Sequence, residues 1–169
     1  MAFLDLAKER WTCRRYSDKP VEQEKLDAIL EAVRIAPTAK DIQPFHIWVV
    51  KSEEARGRLD QTTKCLYGAP VALIVAGDPA HAYVRADGKN YADIDASIVG
   101  THIILEAADL GLGSTWIGAY DSPKLKELFP ELGEYVDVAL FAIGYPADDA
   151  QPAPRHTERK SVRELVTVL

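Results

Sequence analysis

The apolar positions change period several times along the chain, and each change predicts an element. Phe3, Leu4, Leu6 and Ala7 predict a short amphipathic helix over 2–12. After a turn at Asp18-Lys19-Pro20, Leu26, Ile29, Leu30 and Val33 recur at i, i+3, i+4 and i+7. That spacing predicts a helix over 22–35 with one buried stripe, closed by Pro37. A loop from Thr38 to Pro44 leads into 45–50 (Phe-His-Ile-Trp-Val-Val), whose aromatic and β-branched content predicts a strand. Ser52, followed by Glu53 and Glu54, is suited to cap a helix over 53–60.

The second half is more apolar. Val71 to Ala76 is a continuous apolar run, the pattern of a strand covered on both faces. Gly77 to Lys89 is polar, contains Asp-Pro and Asp-Gly, and reads as loop. From Tyr91 to Leu110 runs the longest helix, apolar nearly all round past Ile94. Such a helix must be buried on every side, and one small core hardly surrounds it, so a second subunit is expected. Gly111 stops this helix, and Ser114 to Ala119 predicts a short strand. Ser122-Pro123 opens a helix to about Phe129, with the serine as cap, and Val136 to Ile143 predicts another buried strand. Residues 147–154 are extended linker, and the apolar end Leu165 to Leu169 beyond them calls for a surface to dock on. We therefore expect one domain over 1–169, with about 147–169 a C-terminal arm reaching the partner subunit.

Composition narrows the function classes. The 169 residues carry 26 acidic and 20 basic side chains, a net charge of −6, which argues against nucleic acid as a partner. Two cysteines and four histidines, without ligand spacing, make neither a disulfide framework nor a metal site. The charged N-terminus is no signal peptide and no apolar run is long enough to span a bilayer, so no membrane is expected and the chain reads as cytoplasmic. Nine of the 20 basic residues, however, fall in two short segments, Lys8 to Lys19 and Arg155 to Arg163. A small anion held between the two ends would need such an arrangement. Charge alone leaves open the alternative of two solvated helix ends. The glycines of 111–118 lie after a helix and before a strand, the reverse of a dinucleotide-binding turn.

Four segments, in order, resemble the FMN-dependent nitroreductase family. Residues 10–21 (Arg-Trp-Thr-Cys-Arg-Arg-Tyr-Ser-Asp-Lys-Pro-Val) are similar to that family's R-R-S-[VI]-R-x-[FY]-x-x-x-P-V. Residues 36–45 (Ala-Pro-Thr-Ala-Lys-Asp-Ile-Gln-Pro-Phe) resemble A-P-S-x-x-N-x-Q-P-[WF], and 108–118 resemble A-x-x-L-G-L-G-[ST]-x-W-[IL]-G. Gly144-Tyr145-Pro146, with 159–166 beyond it, is similar to the family's C-terminal R-[KL]-P-L-E-E-[LV]-V.

The resemblance implies an α+β, nitroreductase-like fold, a central mixed β-sheet flanked by helices, in an interleaved homodimer with FMN in each of two interface clefts. It matches Arg10, Trp11, Thr12 and Arg14 to the phosphate and ribityl segment, and Arg159, with Lys160 beside it, to the basic residues of the arm. Arginine suits that task because its guanidinium forms bidentate hydrogen bonds to phosphate. Pro37, Thr38, Ala39 and Asp41 match the loop passing close to flavin and ribityl chain. Thr115, Trp116, Ile117 and Gly118 match the strand beside the isoalloxazine. The implied activity is NADH- or NADPH-dependent transfer of electrons to a nitroaromatic, quinone or similar acceptor. The flavin carries the chemistry, so no catalytic side chain is assigned.

Two positions depart from the pattern: Trp11 replaces the family's second arginine, and Asp41 its asparagine. A flavoprotein reduced by a ferredoxin-like donor stands as an alternative, and these two departures keep another in view, a non-catalytic dimeric FMN-binding scaffold. The short 77–89 stretch implies a more open site than in longer members.

Overall fold

The computed structural model describes residues 2–169. Its elements in chain order are α1 (Phe3–Glu9), α2 (Gln23–Arg34), β1 (Phe45–Val50), α3 (Glu53–Leu59), β2 (Val71–Gly77), α4 (Ala92–Asp109), β3 (Gly113–Ile117), α5 (Ser122–Leu128), β4 (Val136–Gly144) and α6 (Val162–Leu165). Single 3-10 turns lie at Ala39–Asp41, Pro130–Leu132 and Pro154–His156.

The strands form one sheet in the order β1-β2-β4-β3. All three strand pairs are antiparallel, with a register shift between Val75 and Ala76. The parallel component of the expected mixed sheet is confined to an isolated bridge, Thr12 with Ser114, on the outer side of β3.

Helices cover both faces, and strand alternation divides the apolar residues between them. Val71, Leu73 and Val75 of β2 face α2 and α4, in a core with Leu26, Ile29, Val33, Val99 and Ile103. Ala72 and Ile74 face the other way, in a core with Leu59, Leu66, Leu125, Phe129 and Leu132. This is why β2 is apolar without interruption although its neighbours are antiparallel: both of its faces are dry.

Helix ends follow local chemistry. Ser52 caps α3, its Oγ accepting from the Ala55 amide at 3.1 Å. At α5 the cap is Asp121, which accepts from Lys124 N at 3.0 Å, rather than Ser122. Ser122 is the first helical residue, and its hydroxyl donates to Asp137 Oδ1 at 2.9 Å.

In one chain α4 is buried only on its inner side, by Ala96, Val99, Gly100, Ile103 and Ala107. Ile94, Ile98, Thr101 and Leu105 recur at i, i+4, i+7 and i+11 along the outer side, and none of them is fully buried. Ile94, Ile98 and Thr101 line a shallow groove of about 390 Å³. The C-terminal segment is also uncovered, with Val162, Leu165, Val168 and Leu169 exposed.

Candidate functional site

The N-terminal basic segment is stitched into the fold by its own backbone. Cys13 N donates to Ser114 O at 2.9 Å, Ser17 N to Tyr145 O at 2.9 Å, and Ala147 N to Arg15 O at 3.1 Å. Residues 12–17 thus run between the start of β3 and the chain leaving β4. A side chain on Gly113 would not fit, because its Cβ would come within 2.7 Å of the Cys13 Cβ. The Tyr16 hydroxyl lies 3.1 Å from the carbonyl oxygens of Cys13 and Ala142 and 3.0 Å from Thr115 Oγ1. Thr115 Oγ1 itself donates to the Cys13 carbonyl. Burial pushes the Tyr16 phenol far above its ordinary range, so it remains a neutral clamp.

The first part of the C-terminal arm folds back onto this segment of its own chain. Arg15 pairs with Asp149 at 2.8 Å, and His156 Nε2 lies 3.1 Å from Lys8 O. The two basic segments therefore meet. Arg10, Thr12, Arg14, Arg155, His156 and Arg159, with Ala153, line one cavity of about 210 Å³ that no carboxylate lines. Burial, and then the charge of Arg159, pushes the Arg10 guanidinium below its ordinary range. Cations held together without a counter-ion repel one another, and a dianion between them reverses the sign of that interaction. The donor set fits a phosphate group: planar guanidiniums, a hydroxyl and an imidazole around one cavity.

Lys160 does not line this cavity; Arg155 and His156 do, brought there by the 3-10 turn at Pro154–His156. Trp11 lines two neighbouring cavities, one of about 180 Å³ with Arg10 and one of about 150 Å³ with Arg14 and Arg15.

Arg14 also borders a cavity of about 130 Å³ along β3, with Thr115, Trp116, Ile117, Gly118, Cys65 and Tyr67. The phosphate-sized cavity and the β3 cavity thus share a wall. β3 is an edge strand, so past the Thr12–Ser114 bridge its outward backbone groups have no strand partner. The Trp116 ring turns inward onto Phe141, centroids 4.8 Å apart, over Gly100. Any Cβ at position 100 would lie 2.7 Å from both rings.

Cys65 and Tyr67 line this cavity although no sequence motif assigns them to it. Tyr67 has φ 53° and is followed by Gly68 at φ 73°, a left-handed pair that turns the loop into the cavity. No hydrophobic period announces such a turn; the Tyr-Gly dipeptide was the only signal. The Tyr67 phenol is pushed up, first by the neighbouring Cys65 side chain and then by burial, while Arg14 acts in the opposite direction.

Pro37, Thr38, Ala39 and Asp41 are placed elsewhere. Their loop feeds β1, whereas the arginines border β3, the opposite edge of the sheet. Three strand spacings separate those edges, about 14 Å. The loop is tied to the first turn of α4, where Ala39 N donates to Asp95 Oδ1 at 2.9 Å. Arg10 instead shares a cavity with Ala108 and Gly111, about 20 Å further along that helix. Within the loop, Gln43 N donates to Thr38 Oγ1 at 2.9 Å and Gln43 Nε2 to Asp41 Oδ1 at 3.0 Å. Lys40 Nζ lies 4.6 Å from the centroid of the Tyr83 ring, joining the loop to the 78–91 segment. Lys40, Asp41 and Gln43 all have positive φ, between 53° and 56°, each at a cost of about 1–2 kcal/mol.

Among the described residues no group of acidic, histidine or cysteine side chains is arranged to hold a metal ion, and no helix is long and apolar enough to cross a membrane.

The comparisons with known proteins agree with this geometry. The family model described as "Nitroreductase family" matches residues 7–67 and 60–145. A Methanothermobacter thermautotrophicus protein bearing the name NADH dehydrogenase/NAD(P)H nitroreductase is 31% identical over 158 residues, covering 88% of this chain and 80% of that one. The crystal structure of a nitroreductase family protein from Clostridium difficile superposes with a TM-score of 0.92 at 36% identity, over 99% of this chain and 98% of the other. A nitroreductase from Desulfovibrio desulfuricans, crystallised in complex with FMN, superposes with a TM-score of 0.82 at 25% identity, over 100% and 97% of the two chains. With α2 and α4 on one face of an antiparallel sheet, α3 and α5 on the other, and both basic segments gathered beside β3, the chain belongs to the nitroreductase family.

Proposed function

We propose that this protein is a cytoplasmic, homodimeric, FMN-dependent oxidoreductase that takes electrons from NADH or NADPH and delivers them to a nitroaromatic, quinone or similarly electron-poor acceptor. The observation that carries this reading is the cavity shared by Arg10, Arg14, Arg155 and Arg159, which no carboxylate lines. The similar proteins named as NAD(P)H nitroreductase or solved with FMN support it.

When bound, FMN would supply two-electron redox chemistry between the nicotinamide and the acceptor. The protein's part is position and charge. Arg10, Arg155 and Arg159 would hold the phosphate, and Thr12 would add a hydroxyl donor. Arg14, on the wall between the two cavities, carries positive charge toward the ring end. The outward N–H groups of 115–118 would offer donors to the isoalloxazine, and Tyr67 and Cys65 line the same cavity. The loop of Pro37, Thr38, Ala39 and Asp41 would complete the site from the partner subunit, because within one chain it lies at the wrong edge of the sheet. The outer side of α4 and the exposed residues of the C-terminal arm supply the apolar surface for that dimer.

The test begins with colour: the purified protein should release about one FMN per chain on denaturation. Arg159→Ala should weaken FMN binding by about tenfold or more, since a hydrogen bond to a charged group contributes about 1.5–3 kcal/mol. The loss should shrink as salt is raised. Stopped-flow mixing with NADPH or NADH should bleach the flavin absorbance. Bleaching only by a reduced ferredoxin would reassign the donor. A colourless protein that takes up no FMN overturns the cofactor assignment.

A further inference from the structure

The arginine cavity leaves one buried charge-bearing group unexplained. Asp95, in the first turn of α4, is 1% exposed, and its Oδ2 has no hydrogen-bond partner among the described residues. An unpaired acceptor shut away from water opposes folding, and the positive end of the α4 dipole offsets only part of that cost. A residue kept at such a site needs a return, and the other carboxylate oxygen shows where it lies. Oδ1 accepts from Ala39 N at 2.9 Å. Ala39 opens the stretch in which Lys40, Asp41 and Gln43 hold left-handed backbone without being glycine. Left to itself, such a stretch relaxes toward the ordinary helical or extended regions. Thr38 contributes two further bonds inside the loop and Gln43 O accepts from Phe45 N at the start of β1, while Asp95 ties the loop backbone to α4.

We propose that Asp95 is a positioning residue, retained at the expense of stability because it fixes the backbone of the 38–43 loop in the shape that meets the flavin. The inference rests on the flavin reading above for what the loop meets, and on the Ala39–Asp95 bond for how it is held. The functional oxygen is Oδ1, and Oδ2 carries the cost. Acceptor geometry at Oδ1, rather than negative charge, is therefore what the loop needs.

Two substitutions in the full-length protein separate this from a purely structural role. Asp95→Ala removes the acceptor and the orphan oxygen together. It should raise the FMN dissociation constant, read from quenching of FMN fluorescence, by about tenfold, equivalent to about 1.4 kcal/mol. The melting temperature of the FMN-free protein should stay level or rise. Asp95→Asn keeps an oxygen facing Ala39 N and should hold the FMN dissociation constant within about threefold of the native protein. Hydrogen exchange at the Ala39 amide should accelerate in Asp95→Ala and stay protected in Asp95→Asn, with or without flavin. The proposal is overturned if Asp95→Ala binds FMN within about twofold of native, if its melting temperature falls or it does not fold, or if Asp95→Asn is as weak as Asp95→Ala. Native protein that takes up no FMN overturns the flavin reading instead, and exchange at Ala39 then still decides whether Asp95 holds the loop.

Discussion

Arg10 and Arg159 lie at opposite ends of the sequence, yet they line one cavity, where burial, and then the charge of Arg159, pushes Arg10 below its ordinary range. Cations gathered in this way without a carboxylate are what the proposed phosphate site requires. The family resemblance singled out Arg10, Thr12, Arg14 and Arg159, where charge alone left two solvated helix ends open, and the structure gathers these four around one cavity. Arg155 and His156 were legible only as members of a basic run, since the turn that aims them depends on where the arm docks. Asp41 is a residue-scale question of sign. Its carboxylate accepts from Gln43 Nε2 and is exposed. A negative group beside a reduced, anionic flavin disfavours reduction, by about 332/(ε·r) kcal/mol, which in a solvated cleft is on the order of 1 kcal/mol. Asp41→Asn should therefore raise the flavin reduction potential. A redox titration that finds no change, or a lower potential, removes Asp41 from the list of groups that tune the flavin.

At the scale of elements, apolar period was a good guide and polar detail a poorer one. β2, and β4 from Ala139 onward, read correctly as buried strands because a strand with two dry faces has no room for polar residues, while the start of β4, with Asp137, is not fully buried. The α5 cap moved from Ser122 to Asp121 because Asp137, brought across by β4, takes the serine hydroxyl. The last full turn of α4 carries a testable defect. Burial, and then the charge of Asp109, raises the pKa of Glu106, and the negative end of the helix dipole lies nearby. An acid whose folded pKa is raised favours folding in its protonated form, so its penalty appears as pH rises through the unfolded value near 4.5. Glu106→Gln should therefore stabilise the protein at pH 7, by about 0.3–1 kcal/mol, and leave it unchanged near pH 3.5. Thermal melts at the two pH values check this; an equal gain at both would show that charge is not the cause.

For the whole molecule the question is which surfaces a single chain leaves uncovered. The sequence had α4 buried on every side; one chain buries one side and leaves Ile94, Ile98, Thr101 and Leu105 for something else. Within a single chain the two halves of the C-terminal arm differ. Its first half closes the arginine cavity of its own chain, and its apolar end stays exposed. Ile98→Asp should yield a folded monomer by light scattering, with native far-ultraviolet circular dichroism. Its FMN content should fall together with the dimer, because the 37–41 loop and the arginines are then left on separate, unjoined edges. A dimer with native FMN content would show that the α4 groove is not the interface.

By itself the sequence determined the identity and period of the elements, the buried stripes and the chemical types at the site, because all of these depend on neighbours a few residues apart. Tertiary structure decided what converges. The strand order β1-β2-β4-β3 puts two motif segments on opposite edges, while the 8–17 segment and the returning arm join residues nearly 150 positions apart. It also decided which residues bear strain or an unpaired polar atom, the left-handed Tyr67 and the half-satisfied Asp95 among them. Those are balances between a local cost and a distant contact, and the distant contact exists only once the chain has folded.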